Sequence, residues 1–171
     1  PSASFFTTFI SWETKKNEPM KNNLYTIHEM ELVYIPKHSL SQKPKLHSSF
    51  EVANLLKDLY NPNTIHCQEE FIVLYLSNSN SVIGTQKLSK GGMTSTVVDV
   101  RLIMSTALKS LSTGIILSHN HPSGKREPSE LDKKLTTKIK EAGKLLDISL
   151  LDHVIMTPDN GYFSFADEGL I

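Results

Sequence analysis

Two histidines separated by one residue close an apolar run, and the turn-rich loop and helix start behind them constrain everything this chain can build. The stretch is SHNHPSGKREPSELD, Ser118 to Asp132, and it is preceded by Gly114-Ile115-Ile116-Leu117. Such a run reads as a short buried strand. If extended geometry persists through His121, the two-residue period puts His119 and His121 on one side of the backbone. Pro122, Ser123, Gly124 and Pro128 are turn residues, so the chain must reverse here. A helix is expected directly after the reversal. Ser129 is a good N-cap and Asp132 falls at N3, a capping-box-like start to the apolar positions Leu131, Leu135, Ile139, Ala142 and Leu146. Asp132 then points back toward the loop.

Two neutral imidazoles and one carboxylate suit a borderline cation such as Zn2+, which in catalytic sites commonly takes three protein ligands and keeps one position open. Each residue alone has a plainer explanation, with His119 and His121 as loop histidines and Ser129 and Asp132 as helix caps. Their combination is what points to a metal site.

With 171 residues, 39% of them hydrophobic, the chain can form one compact domain with a core plus an appended segment. Its 18 basic and 18 acidic side chains cancel, which excludes the strongly basic class that holds nucleic acid mainly through phosphates. A single cysteine, Cys67, allows no internal disulfide and fits a reducing, cytoplasmic setting; it is read as structural or incidental. No apolar run approaches the length of a membrane span, so a soluble protein is expected.

Residues 1–23 form an atypical N-terminal segment, expected to be disordered. The basic n-region and long apolar core of a secretory signal are not found in residues 1–19, and Met20 is the expected natural start. Trp12 is read as a loosely packed aromatic. Residues 24–66 are expected to supply a strand over 30–35 and a helix that pack on a main domain of residues 67–171. Ser48 or Ser49 caps that helix, whose apolar positions are Phe50, Val52, Ala53, Leu55, Leu56, Leu59 and Tyr60, and Asn61-Pro62-Asn63 stops it.

After Glu69-Glu70, the run Phe71 to Leu76 predicts a central strand buried on both faces, followed by a turn over 77–81 and a return strand over 82–88. Gly91-Gly92 breaks the return strand. Asp99 caps a helix through Leu111, with Leu102, Ile103, Ala107, Leu108 and Leu111 at helical spacing. Residues 148–156 predict another strand and 162–165 its hairpin partner. Two stacked hairpin systems and three helices imply an α/β (α+β) fold, a mixed β-sheet with flanking helices.

Three further groups bear on function. Glu69 or Glu70 could act as a general base beside a metal, or both could simply stay solvated at the strand's edge. Asp152 and His153 are adjacent on a strand and point to opposite faces, so both cannot ligate one ion; a supporting role is expected, with one of them hydrogen-bonded near the site. Lys125, Arg126, Lys133, Lys134, Lys138, Lys140 and Lys144 surround the site helix. They read first as a solvated face and only secondarily as a surface for nucleic acid or an acidic partner.

The string His119-Asn120-His121-Pro122-Ser123-Gly124, then Ser129-Glu130-Leu131-Asp132, resembles the JAMM signature of MPN/JAB1 metalloproteases. In full, residues 118–132 resemble the RadC-like branch of that group. Glu69 to Leu76, Gly91-Gly92-Met93, Val98 to Ile103, Leu151 to Ile155 and Tyr162 to Gly169 resemble RadC-family segments in order and spacing, so the likeness runs from residue 24 to the C-terminus. It implies the JAB/MPN (cytidine-deaminase-like) architecture. It also implies that His119, His121 and Asp132 are zinc ligands and that Ser129 hydrogen-bonds the bound water or the oxyanion. Glu69 is implied as the base, with Glu70 as the fallback.

The activity implied is zinc-dependent hydrolysis of a peptide or isopeptide bond in a peptide or protein substrate. The alternative is a non-catalytic, metal-stabilised module associated with DNA repair or with nucleic-acid or protein binding. The helix-hairpin-helix segment that precedes the domain in longer RadC proteins is not found in this sequence, which is expected to weaken that alternative. A scaffold like the catalytically dead MPN domains is a third reading, but those lack this ligand set. No membrane partner is expected, and nothing in the sequence sets the oligomeric state.

Overall fold

Short apolar runs bounded by turn residues become strands, and three capped amphipathic stretches become helices. The computed structural model describes residues 43–90 and 98–171; the strand expected over 30–35, Trp12 and the Gly91-Gly92 break lie outside the described residues. In chain order the elements are α1 (Ser49–Leu59), β1 (Glu70–Leu76), β2 (Val82–Lys90), α2 (Val100–Lys109), β3 (Gly114–Asn120), α3 (Glu130–Leu145), β4 (Ser149–Met156) and β5 (Tyr162–Ser164).

The strands form one mixed sheet in the order β2-β1-β3-β4-β5. β1 pairs antiparallel with both β2 and β3, β4 pairs antiparallel with β5, and β3 and β4 run parallel. The two hairpins are therefore not stacked, as the sequence suggests, but are the two ends of a single sheet. The reason is β3, which enters between them and bonds to both.

All seven residues of β1 and of β3 are buried, because both faces of the sheet are covered. On one face Ile72, Leu74, Ile116 and Val154 pack against Val52, Ala53 and Leu56 of α1. On the other, Phe71, Val73, Ile115 and Leu117 pack against Ile103 and Ala107 of α2 and Ile139 of α3. The alternation of neighbouring residues between the two clusters is the two-residue period of a strand made visible.

Helix caps fall where the short polar side chains stand. Ser48 accepts from the Glu51 N–H, Asp99 from the Arg101 N–H, and Ser129 forms a reciprocal capping box with Asp132. The buried stripes are narrower than the leucine pattern suggests. α1 buries Val52, Ala53 and Leu56 while Phe50 is 62% exposed; α2 buries Ile103, Met104 and Ala107 while Leu102, Leu108 and Leu111 are exposed.

α3 departs furthest from its leucine pattern. It buries Thr136, Ile139 and Gly143, while Leu131 is 71% exposed and Leu146 faces solvent. Gly143 makes a close backbone approach that no larger residue permits: its carbonyl accepts from the N–H groups of both Leu146 and Ile148, at 2.9 Å each. The Ile148 carbonyl then lies within contact distance of where a Cβ on residue 143 would stand, and Met104 reaches the same spot.

Alanine is favoured over glycine inside a helix by about 1 kcal/mol. Gly143→Ala is nevertheless expected to lower the urea midpoint, because its Cβ collides with backbone. A raised midpoint would show that the approach is not as close as described. In the same assay Ile103→Ala should cost about 2–5 kcal/mol, whereas Leu102→Ser should stay within about 0.5 kcal/mol of the parent.

Candidate metal centre

His119 lies in β3, opposite Phe71 on β1 and Ile155 on β4. His121 is just past the strand's end, but its N–H donates to the Met156 carbonyl at 2.9 Å, which prolongs the parallel ladder and keeps the backbone extended. Both rings therefore leave the same side of the chain. The reversal comes at once: Gly124 has φ +78° and its N–H donates to the His121 carbonyl at 3.0 Å, a left-handed turn position that suits glycine. Asp132 is held on the first turn of α3, its Oδ2 accepting from the Ser129 N–H at 2.7 Å and from the Ser129 hydroxyl at 2.6 Å.

These three side chains meet. His119 Nε2 is 3.0 Å from His121 Nε2 and 3.3 Å from Asp132 Oδ1, and His121 Nε2 is 3.6 Å from Asp132 Oδ2. A tetrahedron with metal–ligand bonds of about 2.0–2.1 Å has edges of about 3.3–3.4 Å, so these separations, taken to the two oxygens of one carboxylate, are on the scale of zinc-type coordination. Among the described residues, this is the group of His, Cys, Asp or Glu whose donor atoms fall within 4.8 Å of one another.

The electrostatics favour a cation between them. His121 Nδ1 is 2.7 Å from the Lys125 carbonyl, which can only accept, so Nδ1 carries a hydrogen and the lone pair of the neutral ring is on Nε2. Hydrogen bonding to Asp132 raises the His121 pKa, against the opposing effect of burial and with help from the Lys125 carbonyl. Burial pulls the Asp132 carboxyl upward, but its hydrogen bonds with His119 and His121 outweigh that and hold it well below the ordinary carboxylate range. Two ring nitrogens and an ionised carboxylate this close call for a proton or a metal ion in their midst. Two imidazoles and one oxygen donor suit a borderline metal, and the residues present fit it.

The centre opens onto a cleft of about 530 Å³ whose lining includes Glu69, Phe71, Val98, Ser129, Leu131 and Leu135. The adjacent acids part here. Glu69 faces the cleft, whereas Glu70 is buried on the other side, accepting from the Thr64 hydroxyl at 3.1 Å and paired with Lys87 at 3.4 Å. Asn120, between the two histidines, is a residue that the sequence pattern did not single out. Fully buried, it accepts from the Glu70 N–H at 2.7 Å and donates to the carbonyls of Ile65 and Gln68, each at 2.9 Å. It thereby clamps the segment that carries Glu69. The available signal was alternation, which turns the middle residue of His-x-His into the opposite face, where a buried amide must be bonded.

Asp152 and His153 also divide between faces. Asp152 accepts from the Ser164 hydroxyl at 2.7 Å and the Ala166 N–H at 3.0 Å, and burial raises its pKa. His153 turns toward the centre, with Nε2 2.8 Å from His119 Nδ1 and Nδ1 2.6 Å from the Thr136 hydroxyl. Burial pushes its pKa well down, so the ring is neutral. Thr136 is a second residue the sequence did not flag. The basic side chains of Lys125, Arg126, Lys133, Lys134, Lys138, Lys140 and Lys144 are all exposed, with Lys133 paired to Glu130 and Arg126 to Asp159. Cys67 is free and exposed.

Comparison with known proteins accords with this geometry. A UPF0758 protein of Flavobacterium johnsoniae is 55% identical over 102 residues, covering 60% of this chain and 44% of the relative. A UPF0758 protein of Porphyromonas gingivalis is 51% identical over 104 residues, covering 61% and 46%, and one of Staphylococcus haemolyticus is 38% identical over 129 residues, covering 75% and 55%. The chain thus spans about half the length of the curated relatives it matches. Among the described residues no helix is long and apolar enough to cross a membrane. The family described as the RadC-like JAB domain matches residues 46–170. That range takes in the sheet and the helices of the described residues and every residue of the candidate centre, and the chain belongs to the RadC-like JAB domain family.

Proposed function

We propose that this chain is a zinc-dependent hydrolase that cleaves an amide, in the form of a peptide or isopeptide bond of a protein substrate. The observation that carries the reading is the arrival of a cleft-facing carboxylate, Glu69, beside the convergent donors of His119, His121 and Asp132. His119, His121 and Asp132 would hold the zinc, which would supply Lewis acidity to a carbonyl and lower the pKa of water, roughly from 16 to 7 in favourable cases. Glu69 accepts a proton from the attacking water and delivers it to the leaving nitrogen. Ser129, which lines the cleft, turns its hydroxyl from Asp132 to donate to the oxyanion. Phe71, Val98, Leu131 and Leu135 form an apolar wall that takes substrate side chains and keeps bulk water from the reacting bond. A reducing, cytoplasmic setting suits a chain whose one cysteine is free.

A second reading, a nucleic-acid-binding module with structural zinc, draws its support from the exposed lysines of α3, Lys134, Lys138, Lys140 and Lys144. The balanced net charge weighs against it.

Metal analysis of the purified chain should find one zinc per chain in the parent and in Glu69→Gln, and none in His119→Ala. Against a panel of peptide and isopeptide substrates, Glu69→Gln should lower kcat by about 10²–10⁴-fold. A parent that holds stoichiometric zinc but cleaves nothing in the panel would count against hydrolysis. Duplex DNA binding is expected to be undetectable at physiological salt. Affinity there, with a steep salt slope that flattens on neutralising Lys134 and Lys138, would favour the second reading.

A further inference from the structure

We propose that His153 and Thr136 are positioning residues that dictate which nitrogen of His119 faces the metal centre, through a one-way hydrogen-bond relay ending on the backbone carbonyl of Asp132. The inference rests on the metal-site reading and deepens it.

The direction of the relay is set by what each atom can do. The Thr136 hydroxyl oxygen is 2.6 Å from the Asp132 carbonyl oxygen. Two oxygens that close repel unless a hydrogen lies between them, and a carbonyl has none to give, so Thr136 donates. Its oxygen is then free to accept, and His153 Nδ1, also at 2.6 Å, must supply the hydrogen. A neutral imidazole carries one N–H. His153 Nε2 is therefore a bare acceptor, and His119 Nδ1, at 2.8 Å, must donate to it. The last consequence falls on His119 Nε2, left without hydrogen and aimed at His121 and Asp132.

Burial gives the relay its authority. His119, His153 and Thr136 are 5%, 0% and 3% exposed, so solvent offers little by way of alternative partners that could reverse the sequence of donors. The ring planes are also fixed. Phe71 lies nearly parallel to His119, with centroids 6.1 Å apart, and Phe165 stacks on His153 at 4.8 Å. The relay begins and ends on metal-site residues: it starts from the ring of the strand ligand and finishes on the main chain of the helix ligand. Partners of this kind typically alter metal affinity by about tenfold to a hundredfold when removed.

Two measurements on the 171-residue chain test the proposal. The first is long-range proton–nitrogen NMR of the metal-free parent at about pH 8, above the usual histidine range. Both His119 and His153 are expected to carry hydrogen on Nδ1, and a His119 whose Nδ1 is bare would overturn the relay. The second is zinc affinity by competition with a chromophoric chelator. Thr136→Val keeps the volume but removes the hydroxyl, so it should weaken zinc by about tenfold to a hundredfold, with Thr136→Ser restoring it. His153→Phe should lose affinity similarly, and His153→Gln, which offers an acceptor to His119 and a donor to Thr136, should recover part of it. A folded Thr136→Val that binds zinc as the parent does would sink the idea. Should that variant not fold, the parent tautomers still decide. If the parent takes up no zinc, the metal reading fails, while the tautomers report on the relay by themselves.

Discussion

The parallel hydrogen bonding of β3 to β4 is the constraint from which the candidate centre descends. Parallel neighbours cannot be joined by a tight turn, since the chain must travel back along the full length of the strand before it can pair again. Here that return is made by the loop after His121 and by α3, so a helix must start close to the end of the strand that has just finished. A candidate ligand on the strand's last residues and another on the helix's first turn are brought together by topology. The antiparallel partner on the other side, β1, starts at the same end, and Phe71 opposite His119 brings Glu69 there as well. One central strand with two unlike neighbours thus gathers the compact motif from His119 to Asp132 and the distant segment that carries Glu69.

Placing so many polar groups at the end of a buried strand is costly unless each is answered, because a polar side chain without a partner in such surroundings costs about 1–3 kcal/mol. Alternation sorts the answers. Toward α1, Ser118 meets the Tyr60 hydroxyl at 2.9 Å, and Asn120 satisfies three main-chain groups. Burial raises the Tyr60 phenol far above its ordinary value, leaving it a neutral hydrogen-bonding group that ties the end of α1 to β3. Toward the cleft, His119 is answered by His153, and His121 by the Lys125 carbonyl. The two faces are thus held by separate networks, and the strand between them has little freedom to shift register.

Much of this was legible in the sequence, for identifiable reasons. Strands β1 and β3 are continuous apolar runs, the caps at Ser48, Asp99 and Ser129 are short polar side chains before helical periodicity, and the donor triad sits in one compact motif. What could not be read depended on contacts between distant segments. Leucine spacing placed Leu102, Leu108 and Leu131 inside, but the helices meet the sheet along a narrow strip, and Met104, Thr136 and Gly143 occupy it instead. Nothing local distinguishes Thr136 from a surface threonine; its burial makes sense only beside His153. Which of Glu69 and Glu70 lines the cleft depends on which side of β1 faces it, and that is set by pairing with β3 and by Asn120.

The capping box at Ser129 and Asp132 has an implication for how related chains decay. Asp132 Oδ2 serves the helix cap, so selection for a well-started α3 preserves both residues by itself. The histidines have no such part in starting a helix; their rings serve one another and the Lys125 carbonyl at the end of β3. A related chain that takes no ion at this place could therefore keep the Ser-x-x-Asp for its cap alone while losing the histidines. In comparing such chains, the carboxylate is the least informative letter of the motif for a metal, and the two histidines the most.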